Sequence, residues 1–178
     1  MRLSLSIVSH GQGRLISQLL SDLLAIQLKK KSRWQIILTL NLNEDEHFLS
    51  PFSELDITII RNPAPKGFGA NHNAAFDLAT GDIFVVLNPD IRLTEMPEEL
   101  MSSELDRNDG VWAPLILSSH GAIEDSFRRF PTVVRLARRA LLGQRDPDYM
   151  VGSDPMAVDW VAGMFMSFAR PAIISVKE

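Results

Sequence analysis

Two short runs constrain this chain most. Trp34 to Leu40 and Ile83 to Leu87 are almost continuously apolar and rich in β-branched residues. A strand of that composition is buried on both faces, which requires cover on both sides of a sheet. Around these runs the pattern alternates. Leu3 to Val8 alternates apolar and polar residues and predicts a first strand. Gly11 and Gly13 break it. Leu15, Ile16, Leu19, Leu20, Leu23, Leu24 and Ile26 then recur at helical spacing, and the helix ends near the basic run Lys29-Lys30-Lys31. Asp56 to Ile60 predicts a third strand, Gly67 to Thr80 a helix with Gly81 as its C-cap, and Ile83 to Leu87 a fourth strand stopped by Asn88-Pro89. Strands alternating with helices predict an α/β fold: an open, mostly parallel sheet with right-handed crossovers, flanked by helices.

The second half is less regular. Pro97 to Leu105 predicts a short helix, Val111 to Leu117 a strand, and Phe127 to Gln144 loop and helix. Gln144 to Pro155, rich in Asp, Gly and Pro, predicts a loop. Val158 to Ala169 predicts a strand bent at Gly163. A length of 178 residues fits a single domain, residues 1–178.

Composition removes several function classes. There is no cysteine, so disulfides, thiolate metal sites and cysteine nucleophiles are excluded. A net charge of −4 gives no argument for nucleic acid. No apolar run approaches the roughly 18–20 residues of a membrane span, and the N-terminus is too short and too alternating for a signal peptide. A cytoplasmic protein is the expectation.

In open parallel sheets, ligands bind beyond the carboxyl ends of the strands. Four segments stand there: Ser9-His10-Gly11, Asn41-Leu42-Asn43, the loop from Arg61 to Gly69, and Asn88-Pro89-Asp90. Each alone reads as an ordinary turn. Gly11-Gln12-Gly13 lacks the third glycine of a dinucleotide fingerprint, since Ile16 stands there, and no acidic residue closes the second strand. Asp90 is the sharper candidate, because a carboxylate after a buried strand can hold a hard divalent cation against phosphates. His10 and His72 fall where they can line a pocket, whereas His47 and His120 are expected in solvent.

Five stretches in order carry a resemblance. They are Asn62-Pro63 with Lys66-Gly67-Phe68-Gly69-Ala70-Asn71-His72-Asn73, Ala79-Thr80-Gly81-Asp82, Val86-Leu87-Asn88-Pro89-Asp90, Ser126-Phe127-Arg128-Arg129-Phe130-Pro131-Thr132, and Val158-Asp159-Trp160-Val161-Ala162-Gly163. Together they resemble family 2 glycosyltransferases of the GT-A fold, and most of all the rhamnosyltransferase-like branch that builds bacterial cell-surface polysaccharides.

The resemblance implies an inverting transfer from a sugar nucleotide, with rhamnose from a dTDP donor as its finer form. It implies a nucleotide-binding half over 1–95 and the start of an acceptor-side half over 96–178, incomplete at its C-terminal end. It implies Mg²⁺ or Mn²⁺ on Asp90, and donor contacts from Ser9, His10, Gly11, Asn41, Lys66, Gly67, Asn71, Asn73, Asn88 and Asp90. Asn41 stands where the family recognises the base. Arg128, Arg129, Asp159, Trp160 and Gly163 fall on the acceptor side. The implied partners are a nucleoside diphosphate sugar and a lipid-linked or saccharide acceptor.

The family's catalytic base is expected beyond Glu178, with Asp159 the candidate inside the chain, so these 178 residues alone are expected to be inactive. Six arginines between Ser126 and Arg145, with no acidic residue among them, suit peripheral contact with the inner face of an anionic membrane. A solvated helix with its apolar side on the core suits them equally. The rival from another class is a non-catalytic nucleotide-sugar-binding module with a degenerate glycosyltransferase fold.

Overall fold

The computed structural model describes residues 2–97, 110–130, 149–152 and 154–169. The chain divides into two compact units, Met1–Pro114 with Gly163–Glu178, and Leu115–Ala162.

The first unit is built on a six-stranded sheet. Its strands are β1 (Leu3–Ser9), β2 (Gln35–Leu40), β3 (Asp56–Arg61), β4 (Ile83–Leu87), β5 (Val111–Trp112) and β8 (Phe165–Ala169), in the order β3-β2-β1-β4-β8-β5. β3, β2, β1 and β4 run parallel, in the register Ser4↔Gln35 and Ser4↔Phe84. β8 returns antiparallel beside β4, and β5 antiparallel beside β8. Helices α1 (Gly13–Lys30) and α2 (Phe68–Leu78) flank the sheet, and a 3-10 helix spans His47–Phe52.

β2 and β4 are buried at every position, as their composition requires. The surprise is β1. Its alternation suggests one wet face, yet Ser4, Ser6 and Ser9 are fully buried. Ser4 and Ser6 face the α2 side of the sheet, where their hydroxyls find partners, whereas Ser9 falls on the other face and donates to Glu44. Ser4 Oγ donates to Gln35 Oε1 at 2.7 Å and accepts from Gly81 N–H at 2.9 Å. Ser6 Oγ lies 2.8 Å from His72 Nδ1 on α2. Small polar residues let the helix approach closely, and the buried hydroxyls of Ser4 and Ser6 keep partners there. On the same face Ile37, Phe84 and Val86 pack with Ala75, Phe76 and Ala79. The opposite face carries Leu5, Ile7, Ile36, Leu38, Ile83 and Val85, all fully buried, and α1 contributes its own buried stripe of Ile16, Leu19, Leu20 and Leu23. Each such side chain stabilises the fold by about 1.5–3 kcal/mol.

Several element boundaries differ from expectation. α2 ends at Leu78, with Ala79 already extended, so Gly81 is not its C-cap. Gly81 is needed because the chain crosses β1 there: a Cβ would stand 2.6 Å from Arg2 O and 2.7 Å from Ser4 N. The strand expected over Val111–Leu117 keeps only Val111–Trp112, since Pro114 has no N–H to offer a ladder. Leu117 instead bridges to Ile123 across a turn in which Gly121 takes φ +77°. The bend expected at Gly163 is a turn that separates β7 (Trp160–Val161) from β8. The helix expected over Pro97–Leu105 lies outside the described residues from 98 onward. So do residues 131–148, with most of the arginine-rich stretch.

The second unit holds a two-stranded ribbon, β6 (Phe127–Arg128) against β7, extended by Ala162 N–H to Ser126 O at 2.7 Å.

His72 makes the fold sensitive to acid. Burial pushes its imidazole down from 6.5 to about 4. Between those values the unfolded chain binds the proton and the folded chain does not, so stability rises with pH across that window and is lost as pH falls through it. The full shift corresponds to about 3 kcal/mol. Urea unfolding of the parent and of His72→Gln from pH 7 to pH 4 should show a steeper loss in the parent. Parallel curves would mean that His72 stays accessible to protons.

Candidate functional site

The loops after β1 and β4 and the start of α2 converge on one cleft. Val8, His10, Gln12, Phe68, Asn71, His72, Leu87, Asn88, Pro89 and Asp90 line it. Its volume is about 180 Å³. Ligand pockets usually enclose roughly 300–1,000 Å³, so this cleft is small and could enclose only part of a ligand of that size.

The wall formed by β4 is held from two sides. Asn88 N–H donates to Met164 O at 2.9 Å, beside β8. Two residues beyond Asp90, Arg92 makes a two-pronged ion pair with Asp22 of α1, at 2.7 and 2.8 Å, and Leu93 N–H adds a third bond to the same carboxylate at 3.1 Å. Arg92 holds the Asp22 carboxyl below its usual range. The turn carrying Asp90 is therefore tethered at both ends, while Asp90 itself is exposed.

The wall formed by β1 is shaped by Glu44. Its carboxylate accepts from Ser9 Oγ at 2.9 Å and from Gly11 N–H at 3.3 Å, and Ser9 Oγ accepts from Gln12 N–H at 3.1 Å. An acidic side chain thus already occupies donors that a dinucleotide loop would turn toward phosphate. Gly13 has a packing role, since a Cβ there would meet the Phe48 ring at 2.8 Å. The Gly11-Gln12-Gly13 pair is an architectural feature of this fold.

α2 closes the third side. Phe68 is half exposed, and its ring meets His72 edge-on at 4.4 Å between centroids. It also lies on Gly163, where a Cβ would come within 2.8 Å of Phe68 Cζ. Asn71 is fully buried, receives Asn62 Nδ2–H at 2.7 Å and donates to Lys66 O at 3.1 Å.

Of the candidate donor contacts, His10, Asn71, Asn88 and Asp90 line the cleft together. Ser9, Gly11, Asn41, Lys66 and Gly67 stand behind or beside it in its hydrogen-bond framework. Asn73 lies on the exposed side of α2. Gly163 belongs to the first unit; Arg128, Arg129, Asp159 and Trp160 belong to the second. There, Arg128 pairs with Asp125, and the Arg129 guanidinium lies 4.9 Å from the Tyr149 ring centre. Asp159 Oδ2 accepts Phe130 N–H at 2.8 Å. His47 and His120 are exposed. Val8, Gln12 and Leu87 also line the cleft and Glu44 belongs to its framework, although none was a candidate contact from sequence. Asn62, Phe68 and Pro89 lie within the strand-end segments singled out above without having been assigned individually; Phe68 and Pro89 line the cleft and Asn62 joins its framework.

The family model described as Glycosyl transferase family 2 matches residues 4–158. The chain belongs to glycosyl transferase family 2.

Solved structures agree on the fold. The mannosyltransferase PcManGT from Pyrobaculum calidifontis, in complex with GDP-Man and Mn²⁺, is 12% identical with a TM-score of 0.63, over 98% of this chain and 46% of that one. S. aureus TarS 1-349 in complex with UDP is 10% identical with a TM-score of 0.64, over 99% of this chain and 49% of that one. The chain therefore has the GT-A-like sheet and spans about half the length of these structures. No curated protein matches it in sequence.

The Gly163–Phe68 contact predicts a coupling. Gly163→Ala should cost about 1–3 kcal/mol by overpacking. Phe68→Leu, which removes the ring tip, should recover much of that cost when the two changes are combined. A double-mutant cycle by urea unfolding measures it. Strict additivity would mean that the ring moves aside freely.

Proposed function

We propose that the cleft binds the diphosphate side of a nucleoside diphosphate sugar, as the donor site of a metal-assisted inverting glycosyltransferase. The observation that carries this reading is Asp90. It is an exposed carboxylate on a tethered turn at the end of β4, opposite the β1 loop, in a family 2 chain. GDP-Man with Mn²⁺ and UDP in the two neighbours support the ligand class.

The donor set suits a metal brought by the substrate. Among the described residues no group of three or more His, Cys, Asp and Glu side chains gathers. One carboxylate with two phosphates is a common setting for Mg²⁺, which keeps several waters and is seldom caged by protein alone. Asp90 would hold the ion, and the ion would offset charge on the departing diphosphate. The chain's own contribution is placement. Asn88 and Pro89 fix the turn, and Arg92 with Asp22 prevents its recoil.

The acceptor hydroxyl must lose its proton to a carboxylate as it attacks the anomeric carbon. Asp159 Oδ2 already accepts the backbone N–H of Phe130, so that oxygen is engaged in holding the chain. We assign the base to another carboxylate. The Arg-Phe-Pro and Asp-Trp-Val-x-Gly segments favour the rhamnosyl-transferring branch, with a dTDP donor and a lipid-linked or saccharide acceptor in surface polysaccharide synthesis. Among the described residues no helix is long and apolar enough to cross a membrane, and peripheral contact at an inner membrane face is part of this reading.

Calorimetry with UDP, GDP and dTDP tests the core of the proposal. At least one should bind about tenfold tighter with Mn²⁺, close to 1.4 kcal/mol. Asp90→Ala should remove that gain. Equal affinity with and without metal in the parent would sink it.

A further inference from the structure

Asn41 ends β2, where a side chain that reads the nucleobase would be sought. Its carboxamide has no capacity left for that task. An amide offers two donor hydrogens and two acceptor lone pairs. Asn41 Oδ1 accepts Lys66 N–H at 2.8 Å and Asn62 Nδ2–H at 2.7 Å. Asn41 Nδ2 donates to Lys66 O at 2.9 Å and meets a ring nitrogen of His10 at 3.0 Å. The orientation of the amide is fixed by its partners, because a backbone N–H can only donate and a backbone C=O can only accept. The side chain is fully buried and does not line the cleft.

The same bonds describe a clamp. Asn41 grips both polar groups of one peptide residue, Lys66, in the loop between β3 and α2. Asn62 links that grip to Asn71, whose own Nδ2 returns to Lys66 O. Lys66 immediately precedes Gly67 and Phe68, the start of α2 and one wall of the cleft. His10, the third residue bonded to Asn41, lies on the opposite wall.

We propose that Asn41 is a positioning residue that locks the Lys66 loop and the His10 ring around the donor, and that it does not read the base. This rests on the donor-site reading above. A base reader discriminates among nucleotides. A clamp acts through parts of the site common to all of them, so its loss weakens every nucleoside diphosphate by one factor.

Asn41→Asp separates the two. It keeps the shape and the acceptor oxygens but loses both donations and sets a carboxylate against Lys66 O. Two readouts are needed. The first is trypsin cleavage of the folded protein after Lys66, followed by mass spectrometry against cleavage after Arg61 and Lys31. The clamp predicts that cleavage after Lys66 alone accelerates, about tenfold or more. An unchanged rate, or an equal rise at all three bonds, would overturn it. The second is the affinity for UDP, GDP and dTDP with Mn²⁺. The clamp predicts a common loss with the order of the three unchanged. A reordering among the bases would overturn it in favour of base reading.

If the parent binds none of the three, the donor-site reading falls, while the cleavage pattern still decides whether Asn41 holds Lys66. Should Asn41→Asp not fold, Asn62→Ala removes one arm of the clamp. It should then give the same pattern in both readouts at smaller size, and its absence would count against the clamp.

Discussion

Parallel pairing of β1 with both β2 and β4 is the constraint on which everything else depends. Once three neighbouring strands run the same way, the loops that follow them must leave from one edge of the sheet. That alone brings His10, Asn41 and Asp90 to the same edge, although 80 residues separate the first from the last. The antiparallel return of β8 beside β4 then supplies Met164 O to hold Asn88, and Gly163 to hold Phe68. The cleft is a consequence of strand direction, and its side chains decorate an edge that the backbone has already made.

Close approach on the α2 side of the sheet is the second requirement. Ser4, Ser6 and Gly81 are all small, and each stands where a larger residue would push α2 or its exit away from β1. The closeness has a cost in His72, whose ring is buried against Ser6 and so is held neutral far below its usual range. It also has a benefit, since the same ring supports Phe68 at the mouth of the cleft. Packing and site are thus the same set of contacts at this end of α2.

The sequence made the strands legible wherever burial on both faces leaves a continuous apolar run. Trp34–Leu40 and Ile83–Leu87 are the clear cases, and β4 has the predicted limits. α1 followed from its seven-residue apolar stripe. What sequence could not show was anything decided by a distant partner. The buried serines of β1 look like a solvent face until Gln35, Gly81 and His72 arrive from elsewhere in the chain. Gly81 looks like a helix cap because glycine serves caps and close crossings alike. Asn41 and Asp90 were visible as polar residues at strand ends. That one is saturated by Lys66, Asn62 and His10 while the other faces solvent depends on loops whose paths no local pattern encodes.

A nucleoside diphosphate bound as proposed would sit at the edge between β1 and β4. Backbone amide chemical shifts, followed during titration with UDP, GDP or dTDP in Mg²⁺, test it most directly. The largest shifts should fall within Val8–Gln12, Phe68–His72 and Leu87–Asp90, and should saturate together with one affinity. Saturating ligand that moves amides elsewhere, or moves none, would contradict it.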